Sequence, residues 1–186
     1  MSKIAKSFIL ILIFLALNAY VYYAISLDLD IFDIETLEQA VRENILRQKA
    51  LKPLPGNVIL VDYEGNEVKV KDYLGQPLVI SFWSSWCPFC LSELENLEEA
   101  QHEFAGRVFI MAVNRGETLD TAKEFSGLLK LKNLNLFLDQ DNNFYGAIQG
   151  QGMPETLFVD KDGLIVYRKI GPILKEEIRQ NINKIK

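Results

Sequence analysis

Cys87 and Cys90 are the only cysteines in the chain, and they stand two residues apart in Trp86-Cys87-Pro88-Phe89-Cys90. A thiolate attacks disulfides, and a second thiol one helical turn away lets the mixed disulfide collapse into an internal one. The apolar run Leu78 to Trp83 precedes the pair. From Pro88 to Phe104, Leu91, Leu94, Leu97 and Phe104 recur at helical spacing. The pair therefore falls where a buried strand passes into a helix. This puts Cys87 at or next to the helix N-cap and Pro88 in the first turn, where its missing N–H costs nothing. Free N–H groups and the macrodipole favour a thiolate there. The expected roles are a low-pKa nucleophile at Cys87 and a buried resolving thiol at Cys90.

Three other roles compete for the pair. A structural bridge across so short a loop removes little chain entropy and is a weak staple. A zinc site needs two more ligands, and His102 is the single histidine. A pair of inert core thiols fits the apolar flanks but not Pro88 at a strand-to-helix junction. A C-x-x-C inside a βαβ pattern reads as a redox motif. That reading requires no metal and no cofactor, because the disulfide is itself the redox group. Composition narrows the rest. Hydrophobic residues make up 49% of the chain, enough for a packed core, and the net charge of −5 comes without any basic run. Nucleic acid is not an expected partner.

The elements that must position the pair alternate along the chain. Short strands are expected at Val58–Val61 and Glu67–Val70, around the turn signal Tyr63-Glu64-Gly65-Asn66, as an N-terminal β-hairpin. Buried strands follow at Leu78–Trp83 and Val108–Val113, and another strand at Leu134–Leu138. Helices are expected over Pro88–Phe104, Thr118–Leu131, Asn142–Ile148 and Leu174–Ile185. A second hairpin joins Thr156–Val159 to Leu164–Ile170 across Asp160-Lys161-Asp162-Gly163. Parallel strands with helical crossovers joined to an antiparallel hairpin give an α/β fold, with a mixed central sheet flanked by helices.

The N-terminus has a different character. Residues 8–25, Phe8 to Ile25, carry no charge, with Lys3 and Lys6 before them and Asp28, Asp30, Asp33 and Glu35 after. Eighteen such residues nearly cross a hydrocarbon core of about 30 Å. The lysines predict a cytoplasmic stretch at 1–7, a transmembrane anchor at 8–25 and everything beyond outside the cytoplasm, or in the periplasm of a Gram-negative cell. A cleaved signal peptide is the competing reading, with a poor cleavage site at Leu17-Asn18-Ala19. Residues 26–52 are expected to be a helical spacer, with Leu37, Val41 and Ile45 on one face. Pro53, Pro55 and Gly56 then mark the start of the main domain, 53–186.

The stretch LGQPLVISFWSSWCPFCLSELENL resembles the active-site segment of thioredoxin-like proteins, above all the membrane-anchored TlpA/ResA/CcmG family. GMPETLFVDKDGLIVYRKIG is similar to that family's cis-proline loop and following hairpin. The resemblance runs from about Pro53 to the C-terminus. It implies a thioredoxin-like fold and disulfide reduction or exchange outside the cytoplasm, often in cytochrome c maturation. It implies a cis Met153–Pro154 bond, and a substrate-contacting surface formed by Trp86, Pro88, Met153 and Pro154. It places Glu93 near the active site, where it would accept a proton from Cys90 or tune both thiols; a solvated first-turn glutamate is the alternative. The neighbouring acids Glu95, Glu98 and Glu99 read as a solvated face, and Asn114-Arg115-Gly116-Glu117 reads as an ordinary connecting loop, with a lining of the substrate groove as the alternative.

The sequence departs from the pattern at Ser81, which stands where thioredoxin has a buried aspartate, and at Pro88-Phe89, which is less usual for a reductase. The implied partners are proteins bearing disulfides, apocytochrome c among them, and a membrane thiol donor. A thiol peroxidase, a copper-handling assembly factor and a binding module on the same fold remain alternatives. The first would place its cysteine in a proline- and threonine-containing loop, and the second would want wider cysteine spacing plus a distant histidine.

Overall fold

The computed structural model describes residues 13–23, 38, 39, 42, 52–129 and 131–185. The chain divides into two compact units after Ala50. In the first, residues 13–23 are helical and expose Ile13, Phe14, Leu15, Leu17 and Tyr20. Among the described residues no helix is long and apolar enough to cross a membrane. The rest of the expected anchor and most of the expected spacer lie outside the described residues.

The second unit is built on a mixed sheet. Its strands are β1 (Lys52–Pro53), β2 (Ile59–Asp62), β3 (Glu67–Lys69), β4 (Leu78–Trp83), β5 (Phe109–Arg115), β6 (Asn135–Asp139), β7 (Glu155–Val159) and β8 (Leu164–Ile170). Their order is β1-β8-β7-β4-β5-β6-β2-β3. β4, β5 and β6 run parallel, and every other pairing is antiparallel. The helices are α1 (Cys90–Glu103), α2 (Leu119–Leu128), α3 (Asn143–Ala147) and α4 (Lys175–Ile182). This is the expected thioredoxin-like architecture with its N-terminal hairpin, β2–β3, at one sheet edge.

The sheet is covered on both faces. All six residues of β4 are buried, which is why that stretch reads as a continuous apolar run rather than an alternating one. Strand periodicity sends Val79 and Trp83 to the face covered by α1, α2 and α4, through Leu94, Leu97, Ala122, Ile178 and Ile182. Leu78, Ile80 and Phe82 go to the opposite face, with Phe144 and Tyr145 of α3 and with Val70. The hairpin β7–β8 turns where Asp160 Oδ1 accepts from the N–H groups of Asp162 and Leu164, and Gly163 takes a φ of 79° that other residues resist.

One strand was not expected. Lys52 and Pro53 pair with Ile165 and Leu164 at the sheet edge, so the domain starts slightly before Pro53. A proline is admissible there because an edge strand has a side that needs no donor.

The acidic run on α1 is the solvated face its composition suggests only in part, with Glu95 and Glu99 exposed. Glu93 is buried, and Glu99 pairs with Lys175 of α4. Glu98 accepts the backbone N–H groups of Lys132, Asn133 and Leu134 at 2.9–3.0 Å, and the Asn133 amide at 2.8 Å. Partial burial pushes the Glu98 carboxyl up, but these donors outweigh it and hold the group below its ordinary value. A carboxylate favoured in the fold adds stability above the unfolded-state pKa, and that stability is lost as pH falls through the lowered folded value. Glu98→Gln should therefore cost about 1 kcal/mol near neutral pH, most of the larger charged hydrogen-bond value being screened at this half-exposed site. The deficit should shrink toward zero in acid. Urea unfolding of both proteins across the acid range measures it.

Candidate active site

The segment that carries the cysteines is pinned before it reaches them. β4 ends at Trp83, and Ser84 Oγ donates to the Arg115 carbonyl at 3.0 Å. Glu117 accepts from the Ser85 N–H at 2.9 Å, from Ser85 Oγ at 2.5 Å and from the Asn114 amide at 2.6 Å. The loop at 114–117 thus anchors the approach to the site and is more than a connection. Cys87 N–H donates to the Ser84 carbonyl at 3.1 Å, and Cys90 N–H to the Cys87 carbonyl at 3.2 Å.

Helix α1 begins at Cys90, and Phe89, in αR conformation, is its N-cap residue. Cys87 is therefore not at the cap, contrary to expectation. It sits in a tight turn ahead of the helix, closed by its own N–H on the Ser84 carbonyl and by the Cys90 N–H on its carbonyl.

Cys87 and Cys90 are joined in a disulfide. Cys87 is 2% exposed and Cys90 is fully buried. The side chains that stand out from the surface beside them are apolar: Trp86 at 64% exposure, Phe89 at 59%, and Pro88. Among the described residues no group of three histidine, cysteine or acidic side chains could hold a metal ion.

Glu93, one turn beyond Cys90 on α1, is 1% exposed, so the solvated reading fails. Its Oε1 accepts from Ser81 Oγ of β4 at 2.7 Å and from Thr156 Oγ1 of β7 at 2.6 Å, and its Oε2 accepts the Ile173 N–H at 3.1 Å. Ser81 and Thr156 are register partners on adjacent strands, so the sheet aims both hydroxyls at one oxygen. Burial raises the Glu93 pKa, while these three donors and the charge of Lys169 pull it back without cancelling the rise.

Met153–Pro154 is cis. Met153 is partly buried and packs against the cluster that contains Cys87 and Cys90. The fold thus brings together Cys87, Cys90, Glu93 and Met153 with the residues flanking the pair. His102, by contrast, is an exposed surface residue.

Known proteins resemble this chain in sequence and in fold. The AhpC/TSA family matches residues 51–168. The chain belongs to this family. Within it the chain is TlpA/ResA/CcmG-like. It is 28% identical over 130 residues to the thiol-disulfide oxidoreductase ResA of Bacillus cereus, covering 69% of this chain and 75% of that protein. To the ResA of Geobacillus thermodenitrificans it is 30% identical over 129 residues, covering 69% and 74%. Among solved structures, MTB dsbF superposes with a TM-score of 0.67 at 20% identity, over 72% of this chain and 98% of that one. The lipoprotein thioredoxin Etrx1 of Streptococcus pneumoniae superposes at 0.60 with 25% identity, over 69% and 98%.

Sequence reading missed two residues of this family member's site. Glu117 was named only as part of its loop, because nothing local ties it to Ser85. Thr156 was passed over because its hydroxyl matters only once β7 lies beside β4; its place two residues after Pro154, on the face opposite to Glu155, was the available signal.

Glu93 predicts an unusual pH response. A carboxyl whose pKa is raised by folding favours the native state while protonated. That contribution is complete below the unfolded-state pKa and is lost as pH rises through the folded value. Glu93→Gln keeps a neutral group of the same shape, and the Ser81 and Thr156 hydroxyls can rotate to suit an amide. The stability of E93Q relative to wild type should therefore rise with pH from acid to neutral, as read by denaturant unfolding of the oxidised proteins. A difference that does not change with pH would contradict the assignment.

Proposed function

We propose that this chain reduces protein disulfides outside the cytoplasm. It is a thiol–disulfide oxidoreductase by family, and the observation that carries the mechanism is the Cys87–Cys90 disulfide lying one turn before a buried, donor-ringed carboxyl. In the dithiol state the Cys87 thiolate attacks a substrate disulfide, forming a mixed disulfide and expelling one substrate thiolate, which takes up a proton. Cys90 then loses its proton and attacks Cys87. The internal disulfide closes and the second substrate sulfur leaves as a thiol. Glu93 is the proton acceptor for Cys90. Its raised pKa suits that exchange better than an ordinary glutamate's would, since proton transfer works best between groups of similar affinity. The exposed Trp86, Pro88 and Phe89 offer the apolar surface on which an extended protein segment first settles.

The N-terminal segment supports the location. An apolar helix over 13–23 whose large side chains are exposed is costly in water and favourable in lipid. Together with the two lysines before it and the acids after it, this supports an anchor at 8–25 with the N-terminus inside and the domain outside. A membrane thiol donor would then restore the dithiol, and apocytochrome c is one substrate consistent with such a site.

The competing reading on the same fold is consumption of peroxide through a sulfenate at Cys87. One pair of variants separates the two. Cys87→Ser should lower insulin disulfide reduction at least about a thousandfold, as loss of a nucleophile does. Cys90→Ser should accumulate substrate proteins disulfide-linked to Cys87, visible as reducible adducts on gels. Reduction that survives in Cys87→Ser, or rapid peroxide turnover with no adducts in Cys90→Ser, would reject the reductase reading.

A further inference from the structure

The loop at 148–154, between α3 and β7, is gripped from within by an ion pair. Arg168 of β8 pairs through Nε with Glu155 Oε1, at the first residue of β7. Its other two nitrogens donate to the carbonyls of Ile148 at 3.0 Å and Gln149 at 2.8 Å. The second oxygen of Glu155 accepts the Gln151 N–H at 2.8 Å. Glu155 is fully buried and the Arg168 side chain is 23% exposed.

Two further contacts fix the loop. Tyr145 Oη donates to the Gly152 carbonyl at 2.7 Å, and Gly171 N–H donates to the Pro154 carbonyl at 2.8 Å. The Tyr145 ring fills the place of a side chain at Gly150, where a Cβ would come within 2.2 Å of it. Between these fixed points, the N–H and C=O of Met153 have no partner among the described residues.

We propose that Arg168, acting with Glu155, is a positioning residue. It holds the loop so that the unpaired backbone of Met153 stands ready for an extended protein segment beside the disulfide, and so sets the preference for protein over small disulfides. The proposal rests on the oxidoreductase reading. A free backbone edge recruits a strand through main-chain hydrogen bonds. Binding is stronger when that edge is ordered beforehand, because ordering a loop on association costs conformational entropy. A small disulfide has no backbone segment to pair and gains nothing from the ordered edge. Arginine is required because its planar fork reaches the carboxylate and both carbonyls at once. A lysine keeps the charge beside Glu155 but cannot hold all three.

The test compares insulin with hydroxyethyl disulfide as oxidants of the reduced, full-length protein. In Arg168→Lys the KM for insulin should rise about tenfold with kcat little changed, the loss expected for charged hydrogen bonds. The ratio of insulin to hydroxyethyl disulfide kcat/KM should fall by the same factor. If R168K does not fold, Glu155→Gln with Arg168→Met removes both charges together, avoids an unpaired buried carboxylate, and should show the same change in ratio. An unchanged ratio in a folded variant, or parallel loss toward both disulfides, would overturn the proposal. A wild-type protein inert toward both oxidants would instead refute the oxidoreductase reading beneath it.

Discussion

Burying a glutamate in an apolar core is costly unless donors surround it, and here the donors for Glu93 come from three separated parts of the chain. Ser81 lies on β4, Thr156 on β7, and the Ile173 N–H comes from the segment leading into α4. The hydroxyls reach one oxygen only if β4 and β7 pair in the observed register. A slip of one residue in either strand would turn that strand's hydroxyl to the opposite face. The same carboxyl ties α1 to the sheet one turn after Cys90. Correct pairing of the central strands, seating of α1 and placement of an acid behind the disulfide are therefore a single condition.

The residues after Pro154 divide the labour between the two faces of the sheet. Glu155 points to the α3 side, where its ion pair with Arg168 holds the loop. Thr156 points to the α1 side, where it holds Glu93. The two buried acids are consequently set for different tasks. Glu155 has a cationic partner, Arg168, and ties it to the Gln151 N–H of the loop. Glu93 has only neutral donors and a Lys169 that acts at longer range, so burial prevails and its proton is held more tightly than in water.

Much of this was legible in the sequence, for local reasons. The apolar run at Leu78–Trp83, the spacing of Leu91, Leu94 and Leu97, and the Asp162-Gly163 turn each specify their element without outside help. The cysteine pair and Pro154 likewise drew attention by type and order. What stayed hidden depends on contacts between distant segments. Only the family resemblance set Glu93 apart from Glu95 and Glu98, because a helix period does not say which acids meet donors. Ser81 looked like a missing base, yet it orients the acid that lies beside it. Strand β1 has two residues, one of them a proline, and carries no pattern at all. The helix start was misplaced because Pro88 fits a first helical turn and a preceding tight turn equally well.

The central claim is that Glu93 is a buried acid whose proton affinity is linked to the neighbouring dithiol. The most direct measurement is a carbon-detected NMR titration of the Glu93 carboxyl in the oxidised and the reduced protein. The account predicts a midpoint above that of an exposed glutamate in the oxidised form, and a different midpoint once Cys87 and Cys90 are thiols. An ordinary midpoint that is the same in both redox states would contradict it.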